Sequence, residues 1–205
     1  MKIGIIGAGY IGGNLAKLFV KARHEVALAN SRGPASLQHF ADELGENLHP
    51  MEAKDAIVFG EVVIVAFHWR NLDHMPIYDT TGKIVIDTTN PYKADGTFFD
   101  LQGDIPSTKV LEHFHGGKLV KAFNAIWYKH LAELGNTSIP PEERRVIPLA
   151  GDDADAKKVV SSLIEDIGFG ALDTGSLQTG SRLQGVDGIL FGKELPLKEA
   201  RGLVE

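Results

Sequence analysis

The sequence contains no cysteine. Disulfides, thiolate nucleophiles and cysteine-held zinc or iron–sulfur centres are therefore excluded. It also lacks a basic excess. Lys and Arg number 21 against 27 Asp and Glu, and the resulting net charge of −6 argues against a nucleic-acid partner. No apolar run approaches the ~20 residues that span a bilayer, so no membrane partner is expected. The apolar start, Met1 to Gly13, is interrupted by glycines and has no clear cleavage site, unlike a signal peptide. A cytoplasmic protein is expected. No Ser-His-Asp or paired-carboxylate pattern stands out. His113 and His115 form an HxH pair with no third ligand at a recognisable spacing, so no metal site is expected; a helix end suits such histidines better.

What is present is alternation. Short Val- and Ile-rich runs occur at Lys2–Ile6, Glu25–Ala29, Val62–Phe67, Lys83–Asp87, Lys118–Phe123 and Val146–Leu149. They are apolar on successive residues, as strands covered on both faces are. Helix-period segments lie between them. Leu15, Leu18, Phe19 and Ala22 mark the first, and Pro34 opens a second that ends near Gly45. Shorter helices are expected at Met51–Phe59, Leu72–Tyr78 and Ser107–Phe114. The clearest covers Asp153–Ile167, with Val159, Val160, Leu163, Ile164 and Ile167 on one face and Gly168 beyond its end. A strand at Ala171–Asp173 and a helix from about Ser181 close the chain. The fold class implied is α/β, a Rossmann-type doubly wound parallel sheet with a small C-terminal α/β extension. The 205 residues fit a single domain, with residues 1–145 as a nucleotide-binding core and 146–205 completing the cleft. So small a chain leaves little room for a separate substrate domain, and a homodimer is expected.

Gly7-Ala8-Gly9-Tyr10-Ile11-Gly12 is a GxGxxG run between an apolar strand and an amphipathic helix. That context points to a dinucleotide. Gly7 permits the tight turn, Gly9 lets the backbone approach a pyrophosphate, and Gly12 allows helix to pack on strand. The second strand ends in Ala29-Asn30-Ser31-Arg32. An NAD site usually has a carboxylate there; a serine hydroxyl and a planar guanidinium suit a 2′-phosphate. NADP(H) is therefore expected, with no carboxylate at hand to repel the phosphate. Ligands of such sheets lie beyond the carboxyl ends of the strands. Those ends are Ala66-Phe67-His68-Trp69, Asp87-Thr88-Thr89-Asn90-Pro91 and Ala122-Phe123-Asn124-Ala125-Ile126-Trp127. Ala66, Phe67, His68, Asn90, Pro91, Asn124 and Ala125 thus join the candidate cofactor contacts. Phe67, Trp69 and Trp127 read equally well as packed aromatics.

With these motifs placed, the chain resembles the NADPH-dependent F420 reductases and related dinucleotide-binding oxidoreductases. It is similar also to the N-terminal domains of pyrroline-5-carboxylate reductases and STEAP metalloreductases. The resemblance extends through Ala150-Gly151-Asp152-Asp153 and Asp173-Thr174-Gly175-Ser176-Leu177. It implies hydride transfer between NADPH and a stacked redox ring. It also implies phosphate contacts at Tyr10, Ile11, Ser31 and Arg32, with nicotinamide-side contacts around Phe67, His68 and Ala125. Asn124-Ala125-Ile126-Trp127 stands where F420 reductases tend to have a histidine and a Thr-Ile-Pro run. The acceptor stays open between F420, a flavin and a small imine or carbonyl, with His68 as candidate proton donor. A non-catalytic NADPH sensor is the alternative from another class.

Overall fold

The computed structural model describes residues 1–204. β1 (Lys2–Ile6) leads into α1 (Tyr10–Lys21), β2 (Glu25–Ala29), α2 (Gln38–Leu44), β3 (Leu48–Pro50) and α3 (Ala53–Phe59). β4 (Val62–Val65), the short β5 (Tyr78–Asp79), β6 (Ile84–Asp87), α4 (Pro106–His113), the short β7 (Phe114–His115), β8 (Lys118–Ala122) and α5 (Tyr128–Glu133) follow. The last part holds β9 (Val146–Gly151), α6 (Ala154–Asp166), β10 (Gly170–Asp173), α7 (Leu177–Leu183) and α8 (Leu197–Arg201).

One large sheet has the order β10-β9-β8-β6-β4-β1-β2-β3. β5 and β7 pair separately. From β1 the chain winds outward through β2 and β3, then crosses to β4 and winds the other way. The switch point therefore falls between β1 and β4, where an open α/β sheet leaves its crevice. Alternate side chains feed two cores. Ile3, Ile5, Val62 and Ile64 meet Leu15 and Phe19 of α1 on one face. Ile6, Val63 and Val65 meet Ala56 and Ile57 of α3 on the other. Both faces are covered, which is why the strands read as continuous apolar runs.

The structure corrects three expectations. β8 and β9 pair antiparallel, so β9 and β10 oppose the other six strands. The link from β8 to β9 carries the six-residue α5 and a 3-10 turn at Pro141–Glu143. The helix expected at Leu72–Tyr78 is a 3-10 helix at Trp69–His74, and Tyr78 begins β5. It stops before Pro76, which lacks the N–H a helix needs. The closing helix from about Ser181 is two helices, α7 and α8. Ser176 caps α7, its side chain accepting from the Thr179 N–H. α6 forms as expected. Asp153 Oδ1 accepts from the Ala156 N–H at 2.8 Å, and Gly168 ends the run at φ +87°. His113 lies in the last turn of α4 and His115 in β7.

Candidate dinucleotide cleft

The carboxyl ends of β1, β2, β4, β6 and β8 open into one cleft of about 1270 Å³. That exceeds the roughly 300–1,000 Å³ of an ordinary small-molecule pocket. Its base is the glycine turn. The Gly7 N–H donates to Ala29 O and the Ala66 N–H to Ile6 O, each at 2.8 Å, which ties the turn to both neighbouring strands. Gly7 has φ +114°, and a Cβ there would meet Ala66 O at 2.3 Å. A Cβ on Gly12 would meet Gly7 O at 1.8 Å, so Gly12 sets how closely α1 packs on the turn and does not itself line the cleft. A Cβ on Gly9 would meet nothing within 4 Å. Its bareness serves the space in front of it.

α1 starts at that space. Gly9 caps it without a side chain, and its first turn has no acidic residue. The first N–H groups of α1 therefore face the cleft beside the positive end of its dipole, a ready anion site. Tyr10, Asn14 and Lys17 line the cleft from one face of the helix. Asn14 Nδ2 donates to Tyr128 O at 2.8 Å and so fixes α5 against α1. Lys17 is engaged by Glu43 at 2.6 Å.

Asn30, Ser31 and Arg32 line the far end. The Asn30 side chain shapes the loop: its Oδ1 accepts from the Arg32 N–H at 2.9 Å, and its Nδ2 donates to Ser36 Oγ at 2.9 Å. Arg32 is exposed and has no ion-pair partner among the described residues. A carboxylate does reach this end, contrary to expectation. Glu52 lines the cleft, its Oε1 3.4 Å from where a Cβ on Gly33 would stand. It arrives from the end of β3, which spacing along β2 does not reveal.

Ala66, Phe67, His68, Asn90, Asn124 and Ala125 line the other half of the same cleft. Pro91 does not; it is buried, and its carbonyl accepts from the Phe99 N–H at 2.9 Å. Two amides join the strand ends. Asn90 Nδ2 donates to Asn124 O at 2.8 Å, and Asn124 Nδ2 donates to Asn90 Oδ1 at 3.1 Å. Phe123 makes this possible by turning the chain at φ +62°, a left-handed conformation uncommon outside glycine. Beneath lies a buried charge network. Lys121 Nζ reaches Asp87 Oδ2 at 2.8 Å and also donates to Thr89 O, while Ser107 Oγ donates to the same Asp87 oxygen at 2.7 Å. Thr89 donates to Asp87 Oδ1 through both its N–H and its hydroxyl. These bonds hold Thr89 and Asn90 in place at the cleft floor.

Burial, and then repulsion from Arg70, push the His68 imidazole below the usual histidine range. It is uncharged at neutral pH. Burial raises the phenols of Tyr78 and Tyr92, which keep their protons there. Trp69 is packed, its Nε1 donating to Pro106 O at 2.8 Å. Trp127 is 50% exposed. Sequence reasoning missed Asn14, Glu52, Tyr92, Tyr128, Phe191 and Gly192 in the lining. Asn14 was findable, four residues beyond Tyr10 on one helix face. Phe191 and Gly192 come from the C-terminal part, where the Gly192 N–H donates to Ala125 O at 2.9 Å. The Ala150–Asp153 and Asp173–Leu177 runs serve each other. The Leu177 N–H donates to Asp152 Oδ1 at 2.9 Å, and the Gly151 N–H to Gly175 O at 3.1 Å.

Among the described residues, no cluster of three or more His, Asp or Glu could hold a metal. Nor is any helix among them long and apolar enough to cross a membrane.

Residues 2–91 match the family described as NADP oxidoreductase, coenzyme F420-dependent. The crystal structure of the hypothetical protein SMa0349 from Sinorhizobium meliloti is similar over 96% of this chain and 95% of that one, with 33% identity and a TM-score of 0.84. A protein of Arthrobacter sp. FB24, proposed to be an F420-dependent NADP reductase, shares the fold at a TM-score of 0.71. It is 23% identical over 87% of this chain and 86% of that one. Metalloreductase STEAP3 of Rattus norvegicus is 28% identical over 191 residues. That stretch covers 90% of this chain and 36% of the rat protein, so the chain spans about a third of that relative's length.

Proposed function

From the premise that the chain belongs to the NADP oxidoreductase, coenzyme F420-dependent family, we propose that it transfers hydride between NADP(H) and a flat redox acceptor such as F420 or a flavin. One observation carries this most. The uncapped start of α1, the open space before Gly9 and the unpaired Arg32 line one cleft, as a dinucleotide with a pyrophosphate and a 2′-phosphate requires.

The N–H groups of Tyr10 and Ile11 hold the pyrophosphate, while Ser31 and Arg32 hold the 2′-phosphate. Asn30 lines the same end and keeps that loop in shape. Phe67, His68, Asn90, Asn124 and Ala125 frame the nicotinamide end. A nicotinamide held there would supply hydride chemistry, two electrons with one proton. The paired Asn90 and Asn124 amides fix the floor against which the ring lies. Phe67, Met75 and Phe191 exclude water from it. Alignment of two rings lowers the barrier by on the order of 7 kcal/mol or more without a strong acid or base. Residues 146–205 complete the cleft through Phe191 and Gly192, and the working form is a homodimer.

The test is to saturate the pure protein with NADPH and offer F420, FMN and FAD in turn. Loss of NADPH absorbance matched by bleaching of one acceptor supports the proposal. Tight NADPH binding with no consumption would make the protein a sensor. Consumption with an imine or ketone alone would move the acceptor to that class.

A further inference from the structure

The cofactor reading leaves the purine base without a reader. On that reading Ser31 and Arg32 hold the 2′-phosphate, and the start of α1 holds the pyrophosphate. The base hangs from the ribose carbon next to the one that carries the 2′-phosphate, so it lies close to Arg32 and away from α1. The lining at that end continues on two elements beyond β2. His39 and Phe40 come from α2, and Glu52 and Ala53 from the start of α3. The sheet brings Glu52 in. β3 pairs parallel with β2, Pro50 beside Leu28, and the Met51 N–H donates to Leu28 O at 3.0 Å. Glu52 therefore leaves β3 at the same end at which Asn30, Ser31 and Arg32 leave β2. Its Oε1 stands against Gly33, the residue after Arg32.

Its charge is uncommitted. Among the described residues Glu52 is the only carboxylate in the lining. It occupies the N-cap position of α3, yet its side chain makes no cap bond, and no ion pair engages it among those residues. Arg32 is unpaired too, although Glu52 reaches the next residue of its loop. Two opposite charges at one end of a cleft that leave each other free are open to different groups of one ligand. The cation suits a phosphate. The carboxylate only accepts and needs an N–H or O–H. On the edge of adenine the 6-amino group is the donor, whereas the ring nitrogens accept. A 6-oxo purine places a carbonyl oxygen there, which a carboxylate repels.

We propose that Glu52 reads the base of the dinucleotide. Its carboxylate accepts from the 6-amino group of adenine and selects against a 6-oxo purine. This rests on the NADP(H) reading for the place of the ribose.

NADPH and its hypoxanthine analogue differ only at that edge of the base. Both carry the 2′-phosphate, so any repulsion between Glu52 and the phosphate cancels in the ratio of their dissociation constants. The two constants are measured by nicotinamide fluorescence on the full chain. Wild type binds NADPH about tenfold more tightly than the analogue, the range of a hydrogen bond to a charged group. Glutamine both accepts and donates, so Glu52→Gln brings the ratio close to one, chiefly by tightening the analogue. Glu52→Ala brings it close to one by weakening NADPH. A wild-type ratio near one would overturn the proposal. So would a ratio that survives either substitution. In particular, equal weakening of both dinucleotides in Glu52→Ala would put the carboxylate on the ribose and not on the base. A wild-type protein that binds neither dinucleotide would instead bring down the cofactor reading itself.

Discussion

At the scale of single residues, the adenosine end of the cleft holds two opposed charges. On the proposed reading Arg32 attracts a 2′-phosphate, and Glu52, which lines the same end from beyond β3, opposes it. Glu52→Gln therefore raises the preference for NADPH over NADH, by up to about fivefold for an exposed charge interaction. Paired binding titrations check this, and an unchanged ratio would show that Glu52 turns away from the phosphate. His68 carries a different prediction. Burial and Arg70 depress its titration, so any step that needs its proton fades as pH rises through a midpoint below ~6.5. Arg70→Ala removes the repulsion and moves that midpoint upward. A pH profile of kcat/KM with the same midpoint in both proteins would take His68 out of the proton path.

At the scale of elements, the strand–turn–helix unit at the N-terminus separates packing from binding. Gly12→Ala drives a Cβ into the Gly7 carbonyl and forces α1 off β1, a strain of about 1–3 kcal/mol visible as a lower Tm. Gly9→Ala meets no protein atom, so Tm holds while NADPH affinity drops. Equal Tm losses in the two variants would undo the distinction. This unit was legible in the sequence because glycine spacing, an apolar strand and helical periodicity all describe local geometry. So was α6, through Asp153 and Gly168. What stayed hidden depends on distant contacts. Apolar runs do not record strand direction, so the reversal at β9 was invisible. α5 has six residues and one buried side chain, too short for a periodic signal, yet it builds the Trp127–Tyr128 wall. Glu52 and Phe191 enter the cleft from far along the chain, which the spacing around Arg32 or Asn124 cannot express.

At the scale of the whole molecule, stability and function meet under the cleft. Lys121 and Asp87 lie on adjacent buried strands, and their network supports Thr89 and Asn90. Lys121→Met leaves the Asp87 charge without its partner and costs about 3–5 kcal/mol, measurable by urea unfolding. A loss under 1 kcal/mol would mean that Thr89 and Ser107 suffice. His24 joins the N-terminus to Asp166 of α6, and burial depresses its titration in the fold. A folded pKa below the unfolded one means that its stabilising effect is complete above ~6.5 and is lost as pH falls from there through the folded pKa. His24→Gln should flatten the stability profile between about pH 5 and 7. On the proposed reading these features converge on a cleft shaped for NADP(H). The measurement that tests it most directly is a titration of wild type and Arg32→Ala with NADPH and NADH. Wild type binds NADPH at least about tenfold more tightly than NADH, a difference of ~1.4 kcal/mol, and Arg32→Ala removes most of that gap while barely changing NADH. Equal affinities in the wild type, or equal losses of both cofactors in the variant, would contradict it.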